Sequence, residues 1–270
     1  MAPIIFWHKQ IINNHQLSFR TRHNFKSLTF AFKQKKIYMK FAVVLFAVCM
    51  FHLPGIGQLS AVRGKAGYNF WLNLPADSIL KSKPPVLIFL HGKSLSGTDL
   101  NRVRKYGVIH EMDKGRKIPA IVVAPQVASG SWNPDKVLTV LEYVQKNYNT
   151  DSSRIYVVGM SLGGYGTLHF AGKYADKITA AVALCGGGNP KDALRLASIP
   201  LWIQHGNKDY AVPISESEKV VTAIQAVDGS RLIYTVHPGA NHGDLERVFR
   251  TDEMYNWLFE QKRVIAPAKK

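Results

Sequence analysis

Cysteine is almost missing from this chain: of 270 residues only Cys49 and Cys185 carry a thiol. Should the segment holding Cys49 be cleaved, no intramolecular disulfide can form, so the fold must rest on an apolar core. Cys and His show no metal-ligand spacing and no cofactor motif occurs, so neither a metal nor a cofactor is expected. Repeats and low-complexity tracts are absent as well. The apolar run at 41–51 is too short for a comfortable membrane span, and no stable span is expected.

Acidic residues are missing from the first 57 positions, which hold Lys9, Arg20, Arg22, Lys26, Lys33, Lys35, Lys36 and Lys40. These eight account for almost half of the formal charge of +17, leaving +9 for the remainder. There the basic residues are scattered, so no nucleic-acid partner is expected. Met39-Lys40, the apolar run and Gly55-Ile56-Gly57 have the order of a secretory signal. The expected organisation is an upstream extension without structure (1–38), a signal peptide (39–57), one folded domain (58–265) and a frayed tail (266–270). That places the protein in a secreted or periplasmic location. The alternative is a basic arm at a membrane surface beside a retained anchor. About 210 residues are enough for a single α/β domain.

What the chain does contain centres on Gly159-Met160-Ser161-Leu162-Gly163, set between a strand-like run (154–158) and a helix-like stretch (164–174). A serine on a sharp strand-to-helix turn needs small neighbours on both sides, and it leaves backbone N–H groups at a helix start that can stabilise an oxyanion. Its hydroxyl also needs a base, and the base an orienting carboxylate. Apolar runs at 199–204 and 231–236 read as buried strands. Asp209 follows the first and His242 the second. In an open parallel sheet such carboxyl-end loops share one edge, so Ser161, Asp209 and His242 can converge. His205 is expected to order the acid loop, Asp244 to make a local hydrogen bond and Asp228 to sit in a turn; His237 and His169 read as solvated or packed.

Strand and helix signals alternate throughout: strands at 66–74, 86–90, 121–124 and 178–184, and a helix capped by Asn133 with Pro134 in its first turn. Ser215 and Glu218 have capping-box spacing, and one last helix is expected over 245–262. This pattern predicts an α/β fold: a mostly parallel sheet covered by helices on both faces. By loop position, Gln126 and Trp132 are placed to line the site.

The chain resembles the α/β-hydrolase superfamily, in its branch of secreted esterases and predicted peptidases related to dienelactone hydrolase and the phospholipase/carboxylesterase group. The resemblance runs from about residue 68 to 263. It rests on Phe89-Leu90-His91-Gly92, Gly97-Thr98-Asp99, Val123-Ala124-Pro125-Gln126, the serine pentapeptide with Gly164-Tyr165-Gly166-Thr167, Cys185-Gly186-Gly187-Gly188, His205-Gly206 to Asp209, Val212-Pro213, His242 and Tyr255-Asn256-Trp257-Leu258. It implies a single-domain α/β-hydrolase fold and a catalytic triad of Ser161, Asp209 and His242. It also implies an oxyanion hole from the backbone N–H groups of Lys93 and Leu162. Lys93 departs from the small residue many relatives carry there, and Gly243-Asp244-Leu245 departs from their Asp-Ser-Trp. The dozen residues between the strands ending at Leu184 and starting near Ile199 leave room for a minimal cap or none, and hence for an open site. The implied activity is hydrolysis of carboxylic esters, small or polysaccharide-linked, such as acylated or feruloylated carbohydrate. A serine peptidase of the same fold and a non-catalytic binding module on that scaffold are the alternatives.

Overall fold

The computed structural model describes residues 59–264; the expected upstream extension, signal peptide and frayed tail lie outside the described residues. Strands β1 (Leu59–Val62), β2 (Asn69–Asn73), β3 (Val86–Leu90), β4 (Ile121–Gln126), β5 (Ile155–Met160), β6 (Ala180–Leu184), β7 (Leu201–Gly206) and β8 (Leu232–His237) form one sheet in the order β1-β2-β4-β3-β5-β6-β7-β8. From β4 to β8 every pairing is parallel, while β1, β2 and β4 pair antiparallel. The expected α/β architecture is therefore present, with β1 an edge strand the sequence did not reveal. Only four residues long and mostly exposed, β1 carries little apolar signal.

The central strands are apolar at every position because the sheet is covered twice. Along β3, Val86, Ile88 and Leu90 enter one buried cluster while Leu87 and Phe89 enter another. The first cluster is closed by α3 (Pro134–Asn147), α4 (Leu162–Lys173), α5 (Ala193–Ala197) and α6 (Ser215–Asp228), whose inward faces carry Val140, Phe170, Leu196 and Val220. The second is closed by α2 (Gly107–Asp113) and α7 (Asp252–Glu260), through Val108, Ile109, Met254 and Leu258. α1 (Asp77–Leu80) is a single turn between β2 and β3. Burying each large apolar side chain contributes about 1.5–3 kcal/mol, so the two filled faces stabilise a sheet whose described residues hold one free cysteine, Cys185. Among the described residues no helix is long and apolar enough to cross a membrane.

Local signals hold in some places and yield in others. Asn133 caps α3, its side chain accepting from the Asp135 and Lys136 amides, with Pro134 in the first turn. The Ser215/Glu218 capping box does not form: Ile214 is the cap residue and Ser215 is already helical. Pro125 and Gln126 continue β4 where a loop was expected. Phe70 faces Pro125 on the β2 side, but pairing with β3 ends at Val123, so the proline's missing N–H interrupts no bond to β3. The single last helix is two pieces, a 3-10 turn at Gly243–Arg250 and then α7, separated by extended Thr251. Arg116 clasps both sides of the break through Asp252 and the Arg250 carbonyl.

Register aligns the carboxyl ends: Leu90 lies beside Gly159, Met160 beside Leu184, Leu184 beside Gln204 and Gly206 beside His237. The loops after β3, β5, β7 and β8 consequently open along one edge.

Candidate active site

Ser161 joins β5 to α4 with φ +60° and ψ −122°, a left-handed conformation that costs a non-glycine residue about 1–3 kcal/mol. The turn closes only because its flanking residues lack side chains. A Cβ on Gly163 would lie 1.8 Å from the Leu90 carbonyl oxygen, and one on Gly159 would lie 2.3 Å from that of Gly163. The Ser161 amide donates to Leu184 (2.9 Å), and the Tyr165 amide donates back to the Ser161 carbonyl (3.0 Å), fixing the elbow against β6 and α4. Leu162 is the first residue of α4 and Lys93 the first of the 3-10 turn at Lys93–Leu95, positions whose N–H groups lack an intrahelical acceptor.

Asp209 follows β7 and His242 follows β8. The fold brings them together, His242 Nδ1 donating to Asp209 Oδ2 at 2.6 Å. The other carboxylate oxygen accepts from the Ala211 and Val212 amides at 2.9 and 2.8 Å. Burial alone would raise the Asp209 carboxyl pKa, but the Val212 amide and His242 outweigh it and hold it below the ordinary carboxylate value. With Nδ1 committed to Asp209, the Nε2 of His242 is left as the basic nitrogen.

Ser161 and His242 line one cavity of about 480 Å³ with Lys93, whose apolar wall is Phe89, Leu95, Tyr106, Met160 and Phe249. Tyr106 and Phe249 were not singled out from sequence, because they reach the edge from an irregular stretch after β3 and from the 3-10 turn. Gly107 was the available signal: φ is +75°, and a Cβ there would meet the Phe89 ring at 2.2 Å. A larger cavity, about 650 Å³ between the starts of β6, β7 and β8, lies near Ile178, Pro200 and Arg231 and holds none of these residues.

Gln126 and Trp132 do not line the serine cavity. The Gln126 amide donates to the Leu95 and Asp99 carbonyls, bracing the loop after β3. Trp132 is buried, its indole N–H donating to the His91 carbonyl and its ring edge-on to His91 at 4.9 Å. His91 donates from Nδ1 to the Gly92 carbonyl and accepts the Val127 amide at Nε2. Burial depresses its pKa to about 4, so it is neutral at pH 7. These three residues thus hold the segment that presents Lys93.

The remaining candidates have local partners. His237 bonds Gln204, Asp244 accepts from the Asn241 amide, Asp228 from the Ser230 amide, and the His169 ring lies beside Tyr165. Cys185, His205 and Asp209 offer ligand atoms within 4.8 Å of one another. Those of His205 and Asp209 are engaged by hydrogen bonds, and burial pushes the Cys185 thiol pKa up, which opposes a metal-binding thiolate.

The chain is similar to several known proteins. Residues 133–256 match the dienelactone hydrolase family. A bifunctional acetylxylan esterase/xylanase of Neocallimastix patriciarum is 29% identical over 147 residues, 51% of this chain and 21% of that protein. The chain thus spans about a fifth of that curated relative. The crystal structure of a thermostable esterase superposes with a TM-score of 0.65 at 28% identity, over 77% of this chain and 63% of the other. A feruloyl esterase module of Clostridium thermocellum, complexed with sinapinate, shares the fold at 17% identity, with a TM-score of 0.57 over 76% of this chain and 92% of that one. So does an acylaminoacyl peptidase of Pyrococcus horikoshii, at 15% identity and a TM-score of 0.58 over 82% of this chain and 44% of that one. Over residues 133–256 the chain is similar to the dienelactone hydrolase family, and it has the α/β-hydrolase fold.

Proposed function

We propose that this chain is a serine hydrolase that cleaves carboxylic esters through an acyl-enzyme on Ser161. The observation that carries this reading is the strained Ser161 sharing a cavity with His242, whose Nδ1 is held by buried Asp209 at 2.6 Å. His242 Nε2 removes the Ser161 proton as the oxygen attacks the ester carbonyl. The carbon–oxygen bond to the alcohol then breaks, and the proton passes from His242 to the departing alkoxide. Water, deprotonated by the same nitrogen, releases the acid and restores the serine. The N–H groups of Lys93 and Leu162 hold the oxyanion, each worth roughly 3–4 kcal/mol of transition-state stabilisation.

Acylated or feruloylated carbohydrate is the substrate class we favour. The aromatic wall of Phe89, Tyr106 and Phe249 suits an aryl acyl group, and the relatives named acetylxylan and feruloyl esterase act on such esters by their names. Secretion through a signal at 39–57 belongs to the same proposal; an amino terminus at Gln58 on protein recovered outside the cell would support it.

A fluorophosphonate probe on the full chain tests the chemistry. Labelling of the native protein should vanish in Ser161→Ala and His242→Ala. A folded native protein that does not label refutes the hydrolase reading.

A further inference from the structure

Asp209 has a second histidine beside it that the mechanism above does not use. His205 is in β7, its side chain fully buried, with Nε2 2.9 Å from the Val212 carbonyl oxygen and 3.3 Å from Asp209 Oδ2. Its Nδ1 lies 2.7 Å from the Ser217 hydroxyl, and that hydroxyl lies 2.6 Å from the Gly186 carbonyl oxygen. Two oxygens at 2.6 Å require a proton between them, and the carbonyl has none to give. The single hydroxyl proton of Ser217 therefore goes to Gly186, and its oxygen must accept from Nδ1–H. The hydrogen-bond partner of Nε2, the Val212 carbonyl, can only accept, so Nε2 also needs a hydrogen, and the Asp209 carboxylate lies within ion-pair distance of it.

We propose that His205 is a positioning residue for Asp209: it carries a hydrogen on each ring nitrogen and forms, with that carboxylate, a buried imidazolium–carboxylate pair. A buried cation needs such a partner, and a buried carboxylate gains from it. The titratable groups facing the pair are the Cys185 thiol from the end of β6, the Tyr165 phenol from α4, bonded to Glu216 of α6, and His242 from the loop after β8. Of these, Glu216 also pairs with Lys219. The two histidines divide the carboxylate: His242 has the short bond, and His205 keeps Asp209 ionised and aimed.

The catalytic consequence rests on the ester-hydrolase reading and has a definite sign. A cation behind Asp209 weakens that carboxylate's hold on a proton at His242. His205→Gln removes this cation, so His242 should retain its proton to higher pH. The acidic limb of the kcat/KM profile on a soluble aryl ester should then move upward by on the order of one pH unit. A neutral, merely structural His205 would leave the limb in place.

The pair itself is read without substrate. In the full chain labelled with 15N-histidine, both ring nitrogens of His205 should show shifts of protonated nitrogens at about pH 7, assigned by their disappearance in His205→Gln. One His205 nitrogen at the shift of an unprotonated imidazole nitrogen overturns the proposal. Should His205→Gln fail to fold, Ser217→Ala assigns the signals by moving the Nδ1 resonance. If Ser161 does not label with the fluorophosphonate, the hydrolase reading falls and the nitrogen spectrum still decides the pair.

Discussion

Acidification from pH 7 to pH 4 should destabilise this fold through His91. The buried ring donates to Gly92, accepts the Val127 amide and stacks edge-on with Trp132, so a second proton on Nε2 would face the Val127 N–H rather than an acceptor. Its folded pKa is about 4 against an ordinary 6.5. Between those values the unfolded chain binds a proton that the folded chain refuses, so stability is intact above about pH 6.5 and falls as pH drops towards 4. The full gap corresponds to about 3 kcal/mol. His237, whose pKa burial also lowers, adds to the same slope, whereas Asp151, held at about 2, loses its contribution only at lower pH. The measurement is urea unfolding of native protein and His91→Gln at intervals from pH 7 to pH 4. The glutamine variant has no titrating group at 91, so its stability should decline less steeply than that of the native protein, by up to about 3 kcal/mol across the window. Parallel curves would refute the argument, because the loss would then have to come from other groups.

Gly163→Ala should abolish fluorophosphonate labelling and lower the melting temperature, since its Cβ would sit 1.8 Å from Leu90 oxygen and β3 cannot withdraw; a variant that labels at the native rate would contradict the elbow geometry. Trp132→Phe, which removes the bond to the His91 carbonyl, should cost about 1 kcal/mol in urea unfolding, and Trp132→Ala about 3–5 kcal/mol, with the contact to Gly166 lost as well. Tyr106→Ala, at a half-exposed position on the cavity wall, should leave the melting temperature within a degree or two while raising KM for aryl esters roughly 5- to 10-fold; an unchanged KM would remove Tyr106 from the binding surface. Asp209→Asn should lower kcat about 10⁴-fold with little change in KM, because the amide offers His242 the wrong partner; a loss under tenfold would displace Asp209 from the reaction.

Much of the fold was legible in local chemistry. Continuous apolar runs such as 86–90 marked strands buried on both faces, and Asn133-Pro134 marked a helix start, because each depends on neighbours in sequence. The small residues at 159 and 163 could be read as a tight turn for the same reason. What local chemistry could not decide was anything depending on partners far along the chain. Ser215 and Glu218 had the spacing of a capping box, but the chain enters α6 through Pro213 and Ile214, so the helix starts one residue earlier than the box requires. Loop position placed Gln126 and Trp132 at the site, yet the carbonyls of Leu95, Asp99 and His91 turned them into braces. Tyr106 and Phe249 carried no motif and line the cavity beside Phe89, whose ring lies against the backbone at Gly107. Sequence by itself determined after which strand ends Ser161, Asp209 and His242 sit. Tertiary structure alone decided which side chains surround them, since hydrogen-bond partners and cavity walls are set by register across the sheet rather than by spacing along the chain.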